Sequence, residues 1–487
     1  MATPVKRKRE SFSNCNHDLN SNQKQNIFSD APDKLKTFTA WCASNKFNIS
    51  RKVQVGREGS CAQYGMTAVE DIPEGYCLFQ VPRTSLLMPH NTNIAGLIEQ
   101  EKSKLAATNQ WVPLLISLLH EENNPTSKWR PYLDLFPDFE TLDLPMFWER
   151  SDIEKLLRGT GVDLAVERDL KMIRDDYNKL VLPFFDRHSD EISKGQMDLD
   201  YFKKMVAFVM SYSFTEPRHR RTKNSENSNS GDSGEEESDS DDDEPSMLPP
   251  MMVPLADTLN HITHNNAKLT FGKEALKMVA ARPIKKGEEI FNTYGQVSNL
   301  HLMHMYGFAE PYPDNTNDVV EIPVVRIFEA AKDLHQDKES SYKSHLDVVW
   351  AFLIEQELIL ADDIFVLGRE GIITDDICIQ ALKVLSMDKQ QFVEYTEKEG
   401  WSDAESDTSL AEDSRLELAK IPSLVDVRWK QLLKRMGQLH LNNYTTTLEE
   451  DEAKLRVIST LTSQEKFALY TAHGQKMLIK LLIDACS

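Results

Sequence analysis

The sequence predicts an α+β protein: a small β-rich unit, split by a long helical insertion and followed by an all-α C-terminal region. Three observations lead there. The first is an internal repeat. Ala68-Val-Glu-Asp-Ile72-Pro-Glu-Gly75-Tyr-Cys-Leu78-Phe79 aligns without gaps on Ala280-Ala-Arg-Pro-Ile284-Lys-Lys-Gly287-Glu-Glu-Ile290-Phe291. Each copy ends in Ile-x-x-Gly and a short apolar strand, and a glycine there fits a turn that needs positive φ. The copies lie 284 − 72 = 212 residues apart, so one β-unit cut in two is the economical arrangement. The second is helical spacing between the copies, in Trp111, Leu114, Leu115, Leu118 and Leu119 and again in Met205, Phe208, Val209 and Tyr212. The third is the return of that spacing after Asp314, where Leu346, Val349, Trp350 and Leu353 trace one face.

Taken in order, residues 1–37 form a polar N-terminal arm, rich in Asn and Ser, that composition marks as disordered. Lys6-Arg7-Lys8-Arg9 within it reads equally as a solvated basic tail or a nuclear import signal. Residues 38–90 hold the first part of the β-unit and 91–245 the helical insertion, punctuated by Pro131, Pro137 and Pro145. The end of the insertion, 218–245, is almost free of apolar residues and reads as a disordered loop. Residues 246–313 return to the β-unit, and 320–487 form the helical C-terminal region. There, Thr374 precedes Asp375 and Asp376 as an N-cap with acids in the first turn. Ser423 opens an amphipathic stretch through Val427, Leu432, Leu433, Met436 and Leu439, and Thr462-Ser-Gln-Glu465 is a capping box before the last helix. Ser402 to Ser414 reads as a polar loop.

Composition narrows the function classes. The 487 residues carry 56 Lys and Arg against 77 Asp and Glu, a formal net charge of −21. Glu235 to Glu244 supplies eight of the negatives, leaving −21 + 8 = −13 on the rest. An acidic body disfavours direct nucleic-acid binding, which needs clustered Lys and Arg, and suits basic peptide partners. The acidic tract itself reads as a solubilising linker or as a docking surface for basic tails. No apolar run approaches the roughly 18 residues that span a membrane, and the N-terminus lacks the apolar core of a signal peptide. The six cysteines are scattered with no CxxC, so neither a disulfide framework nor a zinc site is expected, and the chain reads as a reduced intracellular protein. Nothing in the sequence sets the oligomeric state.

Three short segments carry the chemistry. Ala62-Gln63-Tyr64-Gly65-Met66 opens the β-unit. Ala256-Asp257-Thr258-Leu259-Asn260-His261 follows the insertion. Ile290-Phe-Asn-Thr-Tyr294-Gly-Gln296 and His304-Met-Tyr306-Gly-Phe308 close the second half. Singly, each reads as a core aromatic beside a turn or a capped helix end. Together, an Asn-His pair, an Asn-x-Tyr-Gly and a second Tyr-Gly, all C-terminal to a split β-unit, resemble the SET domain of protein lysine methyltransferases. The long insertion and helical C-terminal region resemble the subgroup related to the Rubisco large-subunit methyltransferase. Trp111-Val-Pro, Trp129-Arg-Pro-Tyr, Pro145-Met-Phe-Trp148, Asp257-x-Leu-Asn-His261, Asn292-Thr-Tyr-Gly and Met305-Tyr-Gly-Phe-Ala-Glu-Pro-Tyr-Pro-Asp-Asn carry that likeness, which runs from about Phe38 to the C-terminus.

The resemblance implies a β-rich SET domain split by an insertion, then a substrate-binding domain. It implies a nuclear enzyme, present also in the cytoplasm, that uses S-adenosyl-L-methionine to monomethylate lysine in transcription-regulatory or histone proteins. Residue by residue, it implies that Ala62, Gln63 and Tyr64 wrap the cofactor with Gly65 beside them. Asn260 and His261 hold its methionine and adenine parts. Tyr306 closes the active site and touches the cofactor, with Tyr294 as its catalytic partner. Trp111, Tyr212 and Tyr294 line the lysine channel, Tyr212 also facing the cofactor. No metal is implied. Two departures stand out: Gln63-Tyr64-Gly65 replaces the Gly-x-Gly of many SET domains, and their zinc-binding cysteine triplet is absent, so the C-terminal helices have to cover the pocket.

The residue types suit the reaction. Lysine attacks a sulfonium methyl only when neutral, and its reference pKa is about 10.4. A narrow aromatic channel and a nearby positive charge both depress that value. Tyr hydroxyls can orient the amine and accept weak C–H···O contacts from the methyl group. Crowding by Tyr294 and Tyr306 favours a monomethyl product. The competing reading is a catalytically silent SET-fold scaffold that binds peptides or chromatin proteins. A Rossmann-type methyltransferase is disfavoured, since no GxGxxG-like strand–turn–helix is visible.

Overall fold

The computed structural model describes residues 34–56, 59–60, 64–105, 109–135, 143–192, 195–217, 248–335, 340–397 and 416–487. Residues 1–33 of the N-terminal arm, Ala62, Gln63, the acidic loop 218–245 and the polar stretch 402–414 lie outside the described residues, whereas residues 34–37, read from composition as part of the disordered arm, form the first turn of the helix Lys34–Ser44.

The two repeat copies pair with one another. Ile72 and Ile284 exchange both backbone hydrogen bonds at 2.9 Å. Around them Gly75 N–H donates to Ala280 O at 2.9 Å while Gly287 N–H donates to Ala68 O at 2.7 Å, so the repeat lies about a local pseudo-twofold. Both glycines sit at positive φ, +75° and +85°, where a side chain strains the backbone. From this junction two antiparallel sheets grow, each mixing strands from both halves. One runs Asn48–Ile49, Cys77–Pro82, Ala275–Ala280, Ala267–Phe271. The other runs Val53–Gly56, Gly65–Ala68, Glu289–Ile290. Leu78, Val81, Leu276, Met278, Met66 and Ile290 are buried between them and the insertion.

The insertion is helical, as its spacing predicts. Val112–Glu122 buries most of its surface, and Leu199–Tyr212, capped by Asp198, buries Met205, Phe208 and Val209. Trp129 anchors the insertion to the β-unit by donating Nε1–H to Ser85 O at 2.9 Å. A helix not read from the sequence, Lys34–Ser44, packs Phe38 and Trp41 against Tyr132.

The C-terminal region differs from the all-α expectation. It contains a four-stranded antiparallel sheet, Val319–Pro323, Ile364–Gly368, Gly371–Ile372 and Leu416–Glu417. Its strands are two to five residues long, too short to impose a period-2 signal between strongly periodic helices. Around it, Leu346, Val349 and Leu353 are buried as their spacing requires, and Trp350 stacks on Phe328. Thr374 is the N-cap residue, but its hydroxyl serves the sheet, accepting from Val366 N–H at 3.0 Å and donating to Ile364 O. The amphipathic stretch is broken at Val425, and the long helix Val427–Leu441 is capped by Asp426 rather than opened at Ser423. The capping box of Thr462 and Glu465 is present and starts the helix Ser463–Ala485.

That final helix joins the two halves of the molecule. Its Phe467 packs against the β-unit. Farther along, Gly474 is so close to Asp318 that a Cβ would lie 2.5 Å from Oδ2. Asp318 in turn accepts from the backbone and side-chain amides of Asn299 at 2.9 and 3.0 Å. Gln475 donates to Thr160 O of the insertion at 3.0 Å.

Candidate functional site

The site forms where the chain leaves the second sheet. After Glu289–Ile290, Asn292 N–H donates to Asn260 O at 2.9 Å and Asn292 runs parallel to His261. Asn266 holds this passage by donating to Glu289 O at 2.8 Å and accepting from Phe291 N–H at 2.7 Å. The Asn-His pair and the first Tyr-Gly are therefore adjacent. Tyr294 N–H donates to His261 Nδ1 at 3.0 Å, and the two rings stack with centroids 5.0 Å apart. Burial lowers the His261 pKa, so the ring is neutral near pH 7, and its Nδ1 is the unprotonated nitrogen.

The second Tyr-Gly arrives on a helix. Ser298 caps Asn299–Tyr306, and Gly307 ends it at φ +74°, where a Cβ would lie 2.7 Å from Asp143 O. Gly295 also has positive φ, +116°. Tyr306 thus ends its helix while Tyr294 lies in irregular chain after Asn292, each is followed by a glycine at positive φ, and the rings lie side by side, centroids 4.5 Å apart. Phe308 closes the cluster, 6.3 Å from Tyr306 and 6.4 Å from Phe467 of the final helix. Tyr294 Oη donates to Leu259 O at 3.1 Å. Burial pushes the Tyr306 phenol up to about 12.

Tyr64 and Asn260 meet on the other side: Asn260 Nδ2 donates to Tyr64 O at 3.1 Å and to Glu289 Oε1 at 2.6 Å. Gly65 lies in an extended strand, so the residue is needed for space rather than for φ. A Cβ there would lie 2.8 Å from both Glu289 Oε1 and Gly59 Cα.

Tyr212 ends the helix Leu199–Tyr212, stacks on Phe208 at 4.9 Å, and is joined to the Tyr306 helix through Ser211 Oγ, which donates to Met305 O at 2.8 Å. Burial, reinforced by Asp257, raises its phenol pKa. Asp257 accepts from Tyr132 Oη at 2.6 Å, and burial pushes its carboxyl up to about 7 despite that bond. Trp111 is the N-cap residue of the helix Val112–Glu122 and packs against the core, but its indole makes no ring contact with either tyrosine among the described residues.

The structure therefore brings together Tyr64, Asn260, His261, Tyr294 and Tyr306, sets Tyr212 beside them, and leaves Trp111 apart. Sequence reasoning gave no role to Glu289, Asp257, Phe308 or Phe467. Asp257 and Phe308 lie inside quoted motifs. Glu289 and Phe467 give no local signal, since a glutamate after Lys-Lys-Gly-Glu reads as a solvated turn. No group of three or more His, Cys, Asp and Glu among the described residues is placed to hold a metal ion, and no helix among them is long and apolar enough to cross a membrane.

Comparison with known proteins gives the same architecture. A SET domain family model matches residues 63–295, and a Rubisco LSMT substrate-binding model matches 350–479. The chain is 42% identical over 458 residues to N-lysine methyltransferase SETD6 of Rattus norvegicus, covering 93% of this chain and 91% of that one. It is 40% identical over 450 residues to the Xenopus laevis protein of that name, covering 92% and 94%. The SET domain of LSMT bound to lysine and AdoHcy shares the fold with a TM-score of 0.61 at 16% identity, over 93% of this chain and 90% of that one.

Proposed function

The chain belongs to the SET-domain family of protein-lysine N-methyltransferases, and from that premise we propose that it places a single methyl group on a lysine of nuclear transcription-regulatory or histone proteins. As a member of that family it is an S-adenosyl-L-methionine-dependent protein-lysine methyltransferase. The observation behind the finer reading is the pair of phenol rings, Tyr294 and Tyr306, 4.5 Å apart and backed by His261 and Phe308.

The residues present fit the cofactor. Asn260 is 2% exposed, and both of its amide hydrogens are used within the protein, which leaves Oδ1 as an acceptor for a ligand ammonium. Asn292 Oδ1 is buried with no hydrogen bond among the described residues, an acceptor that needs a donor. Asn260, His261 and Tyr64 would hold the cofactor, with Gly65 leaving room beside it. When bound, S-adenosyl-L-methionine supplies a sulfonium-borne methyl group for in-line displacement by the lysine nitrogen.

The protein's own groups prepare that nitrogen. A lysine entering among Tyr294, Tyr306 and Phe308 loses water, which lowers its pKa towards the neutral, nucleophilic form. Tyr306, with its pKa pushed up to about 12, stays protonated near pH 7 and acts as an orienting dipole rather than as a phenolate base. Tyr294 is held by its bond to Leu259 O and by the His261 ring, so its oxygen is fixed in direction. Two rings this close leave little volume for a methylated amine, hence the monomethyl product.

Lys6-Arg7-Lys8-Arg9 supports nuclear import, and the acidic charge of the chain suits basic substrate tails. Mass spectrometry of lysine methylation in cells with and without the protein tests the proposal. Loss of monomethyl-lysine on nuclear proteins is expected; loss of trimethyl-lysine alone, or of methylation confined to proteins outside the nucleus, contradicts it.

A further inference from the structure

Asn260 can offer a ligand only what the protein leaves unused. One amide hydrogen goes to Tyr64 O at 3.1 Å and the other to Glu289 Oε1 at 2.6 Å. The second bond is to a carboxylate and is the shorter, so it is the stronger of the two. The same carboxylate accepts from Ser60 N–H at 3.3 and 3.2 Å, which ties the segment before Tyr64 to the second half of the β-unit. Glu289 reaches both because its strand pairs with Gly65–Ala68, with Thr67 opposite Glu289, and because residue 65 has no side chain: a Cβ there would lie 2.8 Å from Glu289 Oε1 and 3.4 Å from Asn260 Nδ2.

We propose that Glu289 is a positioning residue for the cofactor: its carboxylate locks the Asn260 amide in the orientation that presents Oδ1, an acceptor, to the α-ammonium of S-adenosyl-L-methionine, and fastens the strand entrance at Ser60 against it. An amide has two orientations of similar shape, and the surrounding hydrogen bonds decide between them. With Glu289 gone, Tyr64 O alone holds the amide, and the flipped form turns two N–H donors towards an ammonium that has only donors. The cost falls on ligands with an α-amino group and not on the nucleoside. Gly65, Asn260 and Glu289 are then one device, in which the glycine makes room for the carboxylate that orients the amide.

This inference rests on the assignment of Asn260 to the cofactor, and the experiment separates the two. Isothermal titration measures S-adenosylhomocysteine, which carries the α-amino group, and 5′-methylthioadenosine, which lacks it, on the purified full chain. For Glu289→Ala the dissociation constant for S-adenosylhomocysteine is expected to rise by about 10- to 100-fold, while methylthioadenosine binding stays within about twofold, which also shows that the variant folds. A second pair guards against a misfolded alanine variant. Asn260→Asp sets two carboxylates against each other and weakens S-adenosylhomocysteine. Adding Glu289→Gln restores it, because the glutamine donates to one aspartate oxygen and leaves the other for the ammonium. Equal loss of both ligands in Glu289→Ala, unchanged S-adenosylhomocysteine affinity, or no rescue in the double variant overturns the role of Glu289. A wild-type protein that binds neither ligand overturns the cofactor assignment and this role with it.

Discussion

Tyr306 ends a helix and Gly307 turns the chain away at φ +74°, so backbone geometry sets where the ring and its hydroxyl sit. Removing it in Tyr306→Phe keeps the ring and its packing. Positioning of this kind is worth several kcal/mol, so kcat is expected to fall by about 10²- to 10³-fold while S-adenosylhomocysteine affinity changes little; single-turnover kinetics with titration of the product cofactor measures both. Asp257 governs a different property. Its carboxyl is held near 7 by burial against about 3.9 in an unfolded chain. The folded form keeps its proton longer, so this group's contribution is complete below about pH 4 and is lost as pH rises through about 7. Asp257→Asn is expected to flatten the fall in thermal midpoint over that window, read by scanning calorimetry at pH 5 and pH 7.5; an unchanged slope contradicts the assignment. The two tyrosines were legible only through the order of the Asn-His pair and the two Tyr-Gly pairs behind a split β-unit, a pattern that resembles SET domains; a Tyr-Gly by itself reads as a core aromatic beside a turn. Glu289 was not, because its two partners are 29 and 229 residues away in the chain.

At the scale of elements, the repeat was the most legible feature, since Ile-x-x-Gly forces the same turn twice and the two turns then pair with each other. A side chain at either glycine meets nothing within 4 Å, so the strain is in the backbone alone. Gly75→Ala and Gly287→Ala are each expected to cost about 1–2 kcal/mol, with nearly equal values in chemical denaturation because the sites are related by the pseudo-twofold; a difference above about 1 kcal/mol between them contradicts that symmetry. The capping box at Thr462 was legible for a similar reason, as both partners lie within one turn. The C-terminal sheet was missed because its strands are short and each of the four pairs with a strand beyond the local window, Val319–Pro323 with Ile364–Gly368 and Leu416–Glu417 with Gly371–Ile372.

The whole molecule depends on the final helix, which closes the aromatic cluster through Phe467 and clamps both halves. Lys476 on that helix donates to Asp451 at 2.6 Å with both side chains almost fully buried. Removing one partner leaves an unpaired charge inside, so Lys476→Met is expected to cost about 3–5 kcal/mol, whereas Lys476→Met with Asp451→Leu recovers most of it; calorimetry of the two variants decides. How the halves meet was not legible, because Phe467, Gly474 and Gln475 look like ordinary helix residues until Phe308, Asp318 and Thr160 are placed beside them. The central claim is that paired phenols at the junction of two distant chain segments direct methyl transfer to a lysine. It is tested most directly by transfer from methyl-labelled S-adenosyl-L-methionine to basic nuclear proteins, comparing wild type with Tyr306→Phe at saturating cofactor. One label per modified lysine, lost in the variant while cofactor still binds, is the expected result; transfer no greater than that of the variant, with cofactor bound in both, would contradict it.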